Sequence, residues 1–378
     1  MANFNGQLKS NEIFAALYNM IISQQVFADN IADTKSTLAD LSRVDGTLYG
    51  DTKLYYSTDV LKSFEWKDDE EAQNLLKLHR PEEPECQEIT IDKFRMIPLT
   101  VDNYLSKRAW STEGAFSQFN SQMLGWMRDT KKIYDATLFN SFIGTNTTDI
   151  GAQTKEITLS DPPGDVDDYN LEAYNRLVAQ TIAMNMANLI VDLEDVGRDF
   201  NDYGNLRSYR ASDFRFVWNA EWVNMITKLD LPTIFNKDGL MDKFAEHTLP
   251  ARYFGTTKTT GGTTTGTNTT IRSLIEKDYN TVEPNQVGYD AKKHIFPGDL
   301  LPANTAYNAY EAYEQDDKII FKVYHKDSVP FMTAFETGTE FFNSRSLTQT
   351  HYLIWGYNDL EHLKNYPFIT VKANRTVV

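Results

Sequence analysis

In residues 11–28, NEIFAALYNMIISQQVFA, apolar side chains at 13, 14, 17, 18, 21 and 22 fall at helical spacing and predict a helix with a wide apolar face. Its polar face carries no lysine or arginine, so it reads as an N-terminal arm packing on a neighbour or on its own core, in preference to a membrane-surface helix. The stretch STEGAFSQFNSQMLGWMRDTKKIYDATLFNSFIG repeats the spacing at 116, 119, 123, 126, 127, 134, 138 and 142. It predicts a helix over 112–143, about 48 Å long at the helical rise of about 1.5 Å per residue. Ser111 or Thr112 is expected to cap it, Glu113 to complement the N-terminal dipole, and Gly144 to occupy the position after its end. Its aromatic residues, among them Phe116, Phe119, Trp126, Phe139 and Phe142, read as core packing and not as a ligand-binding stripe. A second long helix is predicted from about 170 to 195, with the stripe Leu171, Tyr174, Val178, Ile182, Met186, Leu189 and Leu193.

Strand patterns surround these helices. Residues 45–66, DGTLYGDTKLYYSTDVLKSFEW, are rich in Tyr, Thr and Val and broken by glycines, and ITIDKFRMIPLTVDNY at 89–104 alternates in part. Between them, nine acids stand against Lys67, Lys77 and Arg80 from Glu65 to Glu88. Two extended arms joined by a charged tip describe a long projecting hairpin. Further on, DFRFVWN reads as a strand and AEWVNMITKL as a helix; DKIIFKVYHK, HYLIWGYN and FITVKA read as strands. The fold class is α+β, with no regular βαβ repeat and no internal repeat.

Composition narrows the function. Charged residues at 24% and apolar residues at 41% belong to a folded chain. A net charge of −16 argues against binding nucleic acid by neutralising its backbone, although an acidic wall can enclose DNA without adhering to it. One cysteine, Cys86, excludes an intrachain disulfide and a cysteine-based zinc site. No 18-residue apolar run exists to span a membrane, and the first residues do not read as a secretory signal.

The usual chemical motifs are absent: there is no GxSxG, HExxH, CxxC or GxGxxG. The six histidines show no metal-ligand spacing. DFNDYGN at 199–205 approaches a calcium loop through Asp199, Asn201 and Gly204, but Tyr203 and Arg210 stand where ligands are required. Asp165, Asp167 and Asp168 read as caps of the following helix. Carboxylates are abundant enough to keep a carbohydrate-active enzyme as an alternative, yet no pair is singled out. The tract GTTKTTGGTTTGTNTT at 255–270 has Gly261 and Gly266 at phosphate-loop spacing, but Thr267 replaces the lysine that would reach the phosphates. It is therefore expected to be a mobile surface loop without nucleotide affinity, since it has almost no apolar area to offset the cost of ordering it.

The order of these elements resembles the Hong Kong 97-type major capsid protein of tailed bacteriophages. The likeness is carried most closely by GDTKLYYSTDVLKSFEWKDDEEAQNLLKLHRPEEPE, with Gly50, Thr52, Thr58, Asp59 and the block at 68–73, and by HYLIWGYNDL at 351–360, and it points to small short-tailed phages. The resemblance implies an N-arm over 1–44, an extended loop over 45–108, and a peripheral domain over 109–190 with the spine helix 112–143. It further implies an axial domain over 191–318 that includes the Thr/Gly loop, and closing peripheral strands over 319–378. The implied role is self-assembly through pentamers and hexamers into an icosahedral or prolate head enclosing double-stranded DNA, with no catalytic residues, cofactor, metal or membrane. Scaffolding, portal and decoration proteins are implied partners, and the implied location is the virion, assembled in the host cytoplasm. Within the loop, intersubunit contacts are expected from Tyr55, Phe64, Trp66, Asp68, Asp69, Glu70, Glu71 and Arg80. Another virion component, a connector or a fibre, is the nearest alternative.

Overall fold

The computed structural model describes residues 37–45, 50, 52–63, 78, 80–102, 113–145, 153–162, 164, 168–227, 247–263, 269–270, 277–280, 292–295, 300–301 and 306–376. The expected N-terminal helix at 11–28 lies outside them. In chain order the elements open with α1 (Thr37–Leu41), β1 (Arg43–Asp45), β2 (Thr52–Ser57), β3 (Glu85–Asp102) and α2 (Glu113–Thr145). Then follow β4 (Gln153–Ile157), α3 (Asp168–Glu194), β5 (Phe214–Asn219), α4 (Ala220–Thr227), β6 (His247–Leu249) and β7 (Gly255–Thr263). The chain closes with β8 (Thr269–Thr270), β9 (Lys277–Asn280), β10 (Lys292–Ile295), β11 (Leu300–Leu301), β12 (Ala306–Gln315), β13 (Ile319–His325), β14 (Phe331–Asn343), β15 (Thr348–Asn358) and β16 (Phe368–Ala373). Among the described residues, no helix is long and apolar enough to cross a membrane.

The chain divides into two compact units. The first comprises Met1–Asp51, Thr90–Ala136 and Phe331–Asp359; the second comprises Thr52–Ile89, Thr137–Pro330 and Leu360–Val378. In the first, β14 and β15 form a long antiparallel hairpin, β3 pairs with β15, and β1 runs parallel to β14. Along β3 burial alternates with period two, as expected of a sheet covered on one side. On the covered side the Arg95 guanidinium lies 4.5 Å from the centre of the Tyr134 ring, and the Tyr134 and Tyr357 hydroxyls are 2.7 Å apart. Buried Lys131 meets Asp135 at 3.4 Å and Glu336 at 3.1 Å, while Arg43 also reaches Asp135 at 3.4 Å. Burial raises the Asp135 carboxyl pKa even against these two cations. The long helix is present as predicted, 33 residues or about 50 Å. The apolar stripe alone did not reveal that Lys131 and Asp135 are buried on it.

The second unit is built on the sheet β4-β16-β13-β5-β6. The central strand β13 is buried along its whole length, so both faces require a cover. Helix α3 covers one: Tyr174, Val178, Ile182, Met186, Leu189 and Leu193 pack with Phe214, Phe216, Trp218, Val323, Ile369 and Val371, and Leu171 packs against the edge. This is the stripe read from the sequence. On the other face Tyr324 stacks on Phe368 at 5.8 Å and Phe142, near the end of α2, meets Phe368 edge-on at 6.4 Å. The same closeness explains Gly144, which lies within the helix and not after it. A Cβ at Gly144 would overlap the carbonyl oxygen of Tyr253, so the residue is glycine for close approach and not for a left-handed turn. The expected closing segment 319–378 contributes β13 and β16 to this sheet beside β5, whereas β14 and β15 belong to the first unit.

The Thr/Gly tract is corrected by the structure. Residues 255–263 are not a loop but strand β7, paired antiparallel with β12 from Gly255↔Gln315 to Thr263↔Ala306. β-Branched threonine favours extended backbone, and the partner strand satisfies the ladder hydrogen bonds, offsetting the ordering cost that apolar burial could not. Gly266 and Thr267 lie outside the described residues.

Lys322 is wholly buried in β13, its amine nitrogen 5.6 Å from the centre of the Phe368 ring. Burial first, and Lys372 next, push its pKa well below the ordinary lysine value against the pull of Asp316. The folded state thus gives up this proton at lower pH than the unfolded chain, which keeps it until about pH 10, so above the folded-state pKa this residue makes stability rise with pH up to that point. Lys322→Met is expected to raise the melting temperature at pH 7 and to flatten that rise, as read from thermal melts between pH 7 and 10. Gly144→Ala is expected to cost about 1–3 kcal/mol by overpacking, measured by denaturant unfolding.

Candidate assembly surface

Strand β2 is held within the second unit by a polar anchor. β2 has the burial of an edge strand with two unlike faces: Tyr55 and Ser57 turn inward, and Leu54 and Tyr56 outward. Ser57 donates to Asn365 Oδ1 at 2.6 Å and accepts from Asn205 Nδ2 at 2.8 Å and Arg207 Nη2 at 3.2 Å. Arg207 also donates to the Thr58 carbonyl at 2.6 Å and to Asn365 Oδ1 at 3.2 Å. One guanidinium therefore ties the loop strand to the segment before β16, a role its fixed fork of donors suits.

Asp59 makes the second tie. Its carboxylate accepts from the Leu206 amide at 2.9 Å and from Arg198 at 2.7 Å. The Leu206 hydrogen bond, then that of Arg198, holds its pKa down at about 2. The turn that presents these donors is the stretch that approached a calcium loop in sequence. Asn205 N–H donates to Asn201 Oδ1 at 2.8 Å, Asn201 Nδ2 donates to the Asn205 carbonyl at 2.7 Å, and Gly204 takes a left-handed φ of 66°. Asn205 of this turn binds β2 through Ser57.

The returning strand is held separately. Gln87 Nε2 donates to the His362 carbonyl at 3.0 Å and its Oε1 accepts from the Lys364 amide at 2.9 Å. His362 donates from Nε2 to the Tyr366 carbonyl at 2.7 Å, and burial lowers its pKa to about 4, so it is neutral at pH 7. Tyr366 in turn stacks on His325 with ring centres 4.4 Å apart.

The expected contact residues are distributed unevenly around this anchor. Tyr55 is half-buried, and burial, then Tyr366 and Asp327, raise its pKa. Arg80 is exposed. Phe64, Trp66, Asp68, Asp69, Glu70 and Glu71 lie outside the described residues. The exposed apolar groups near the anchor are ones that composition did not single out: Tyr56 at 65% exposure, Leu61 at 78%, and Leu54 and Val60 at about half. Tyr55 and Tyr56 are adjacent and must face opposite ways, but alternation does not say which is outward. In the first unit a separate apolar face is open, where Phe94 and Met96 of β3 lie opposite Gly356 and Ile354 of β15 and stand about half exposed.

No protein-family model matches the sequence, and no curated protein matches it. Solved structures do. A chain in the capsid structure of Staphylococcus phage Andhra superposes with a TM-score of 0.60 at 11% identity, covering 93% of this chain and 87% of that one. A chain in the structure of the head fibre and inner core protein gp22 of native bacteriophage P68 superposes with a TM-score of 0.59 at 10% identity, covering 92% and 87%. The α+β fold of this chain is therefore one found in phage particles, shared over nearly its whole length.

Asp59→Ala removes one tie without touching the sheet core. It is expected to speed trypsin cleavage at Lys62 while leaving the melting temperature nearly unchanged, read by limited proteolysis beside a thermal melt. Because the Asp59 pKa is depressed, its tie is complete above about pH 4 and is lost as pH falls toward 2. The wild-type chain is expected to approach the variant's cleavage rate after acid treatment in that window, assayed with an acid-active protease.

Proposed function

We propose that this chain is the major capsid protein of a tailed phage, a non-enzymatic shell subunit of the Hong Kong 97 type that encloses the double-stranded genome. The likeness to the Andhra capsid chain over nearly the full length of both is the observation that carries the reading. In this proposal 1–44 is the N-arm, 45–108 the extended loop, 109–190 the peripheral domain with the spine helix 112–143, 191–318 the axial domain and 319–378 the closing peripheral strands. The loop reaches across the neighbouring subunit, with Phe64, Trp66, the acids at 68–71 and Arg80 making contacts near its tip and Leu54, Tyr56, Val60 and Leu61 nearer its root. Obligate contacts of this sort bury on the order of 2,000–5,000 Å², and identical patches on every copy close them into pentamers and hexamers. The acidic balance of −16 keeps packaged DNA from adhering. Scaffolding, portal and decoration proteins complete the head, which assembles in the host cytoplasm.

The P68 likeness favours a second reading, another virion component such as a fibre or core protein. Negative-stain electron microscopy of the purified chain separates them: closed shells are expected, whereas rings or rods of fixed symmetry favour the second reading. Deleting 65–88 is expected to leave a cooperatively folding subunit that forms no shells, read by thermal melting and sedimentation. Normal shells from that variant would remove the loop from the assembly contacts.

A further inference from the structure

Helix α3 has two apolar faces. One is the stripe buried on the sheet. On the other, Leu177, Met184 and Val191 recur every seven residues at 46%, 67% and 64% exposure. Ala173 precedes them and Gln180 and Ala187 fall between them, completing a seam of three- and four-residue steps, the pattern that takes a second helix. From 177 to 191, LVAQTIAMNMANLIV, the helix carries no charged residue, although 24% of the chain is charged. The flanking polar groups are turned back on the helix: Thr181 Oγ1 donates to the Leu177 carbonyl at 2.9 Å and Asn185 Nδ2 to the Thr181 carbonyl at 2.8 Å. A neutral, apolar outer face about 22 Å long has little reason to face water.

The sequence contains a matching segment. Residues 13–28, IFAALYNMIISQQVFA, are also free of charge and carry a wide apolar face at helical spacing. As a helix they would be about 24 Å long. Among the described residues nothing covers Met184, which stands 67% exposed, so the cover comes from outside them. We propose that the outer face of α3 is the docking site for the N-terminal segment 11–28 of a second copy, which lays its apolar face along the Ala173–Val191 seam. Helix packing of this length buries less than the roughly 1,200 Å² of a standard interface, so the contact holds only within a larger assembly. The proposal rests on the self-assembly reading and names one of its contacts.

Cross-linking tests it in the full chain. With Cys86, the chain's sole cysteine, replaced by serine, Leu17→Cys and Met184→Cys are introduced together and singly, and the protein is oxidised under assembly conditions. The double variant is expected to give a ladder of linked chains on a non-reducing denaturing gel, while each single variant stays monomeric. Dimers from Met184→Cys alone would replace the proposal with a seam-to-seam contact; a link within one chain, or no link, overturns it. Met184→Glu, at an exposed position, is expected to keep the wild-type melting temperature and lose particle yield on sedimentation, and unchanged yield counts against the proposal. Val191→Lys repeats that test should Met184→Glu fold poorly. Sedimentation of the unmodified chain reads the self-assembly proposal independently: particles without the cross-link sink only this inference, and absence of particles sinks the broader one.

Discussion

The second unit is organised by one constraint: β13 has no exposed residue, so its sheet must be covered on both faces. Helix α3 supplies one cover and the end of α2 the other. The consequences are local and severe. Gly144 must lack a side chain because the helix end runs against the Tyr253 backbone. Burial holds the Lys322 pKa well below the ordinary lysine value. A strand sealed in this way offers no open face along its length for recognition.

The loop anchor follows a different logic from the core. Ser57, Asp59, Arg207, Asn205, Asn365 and Gln87 bind through directional hydrogen bonds, which fix orientation more than they add stability. A hydrophobic root would have held the strand with less regard to its angle. The polar root fixes the direction in which the strand leaves. The outgoing and returning strands have separate side-chain ties, and β2 and β3 also pair with each other in one sheet.

Particular elements separate what was readable from what was not. The α3 stripe was readable because seven positions at helical spacing admit one buried face. The Gly50 turn and Asp59 stood among the residues that carried the capsid resemblance, and each has a physical role: Gly50 takes a left-handed φ of 78°, and its amide donates to the Ile91 carbonyl at 3.0 Å. Tyr55 and Tyr56 were not separable, because adjacent aromatics on a strand offer equal area and differ only in what each face meets. The Thr/Gly tract was misread because its stabilising partner, β12, lies more than forty residues away and leaves no local mark.

The sequence by itself determined the α+β class, the two long helices and the strands around them, since each follows from the period of its own apolar residues and from turn chemistry close by. Only the tertiary structure decided that β13 and β16 join β5, that Lys131, Asp135 and Lys322 are buried, that Gly144 serves a close approach, and that Asp59 and Arg207 hold the loop. Those outcomes depend on partners distant in the chain. Burial of a charge, or the outward turn of an aromatic, is a property of two surfaces meeting, and a local pattern describes only one of them.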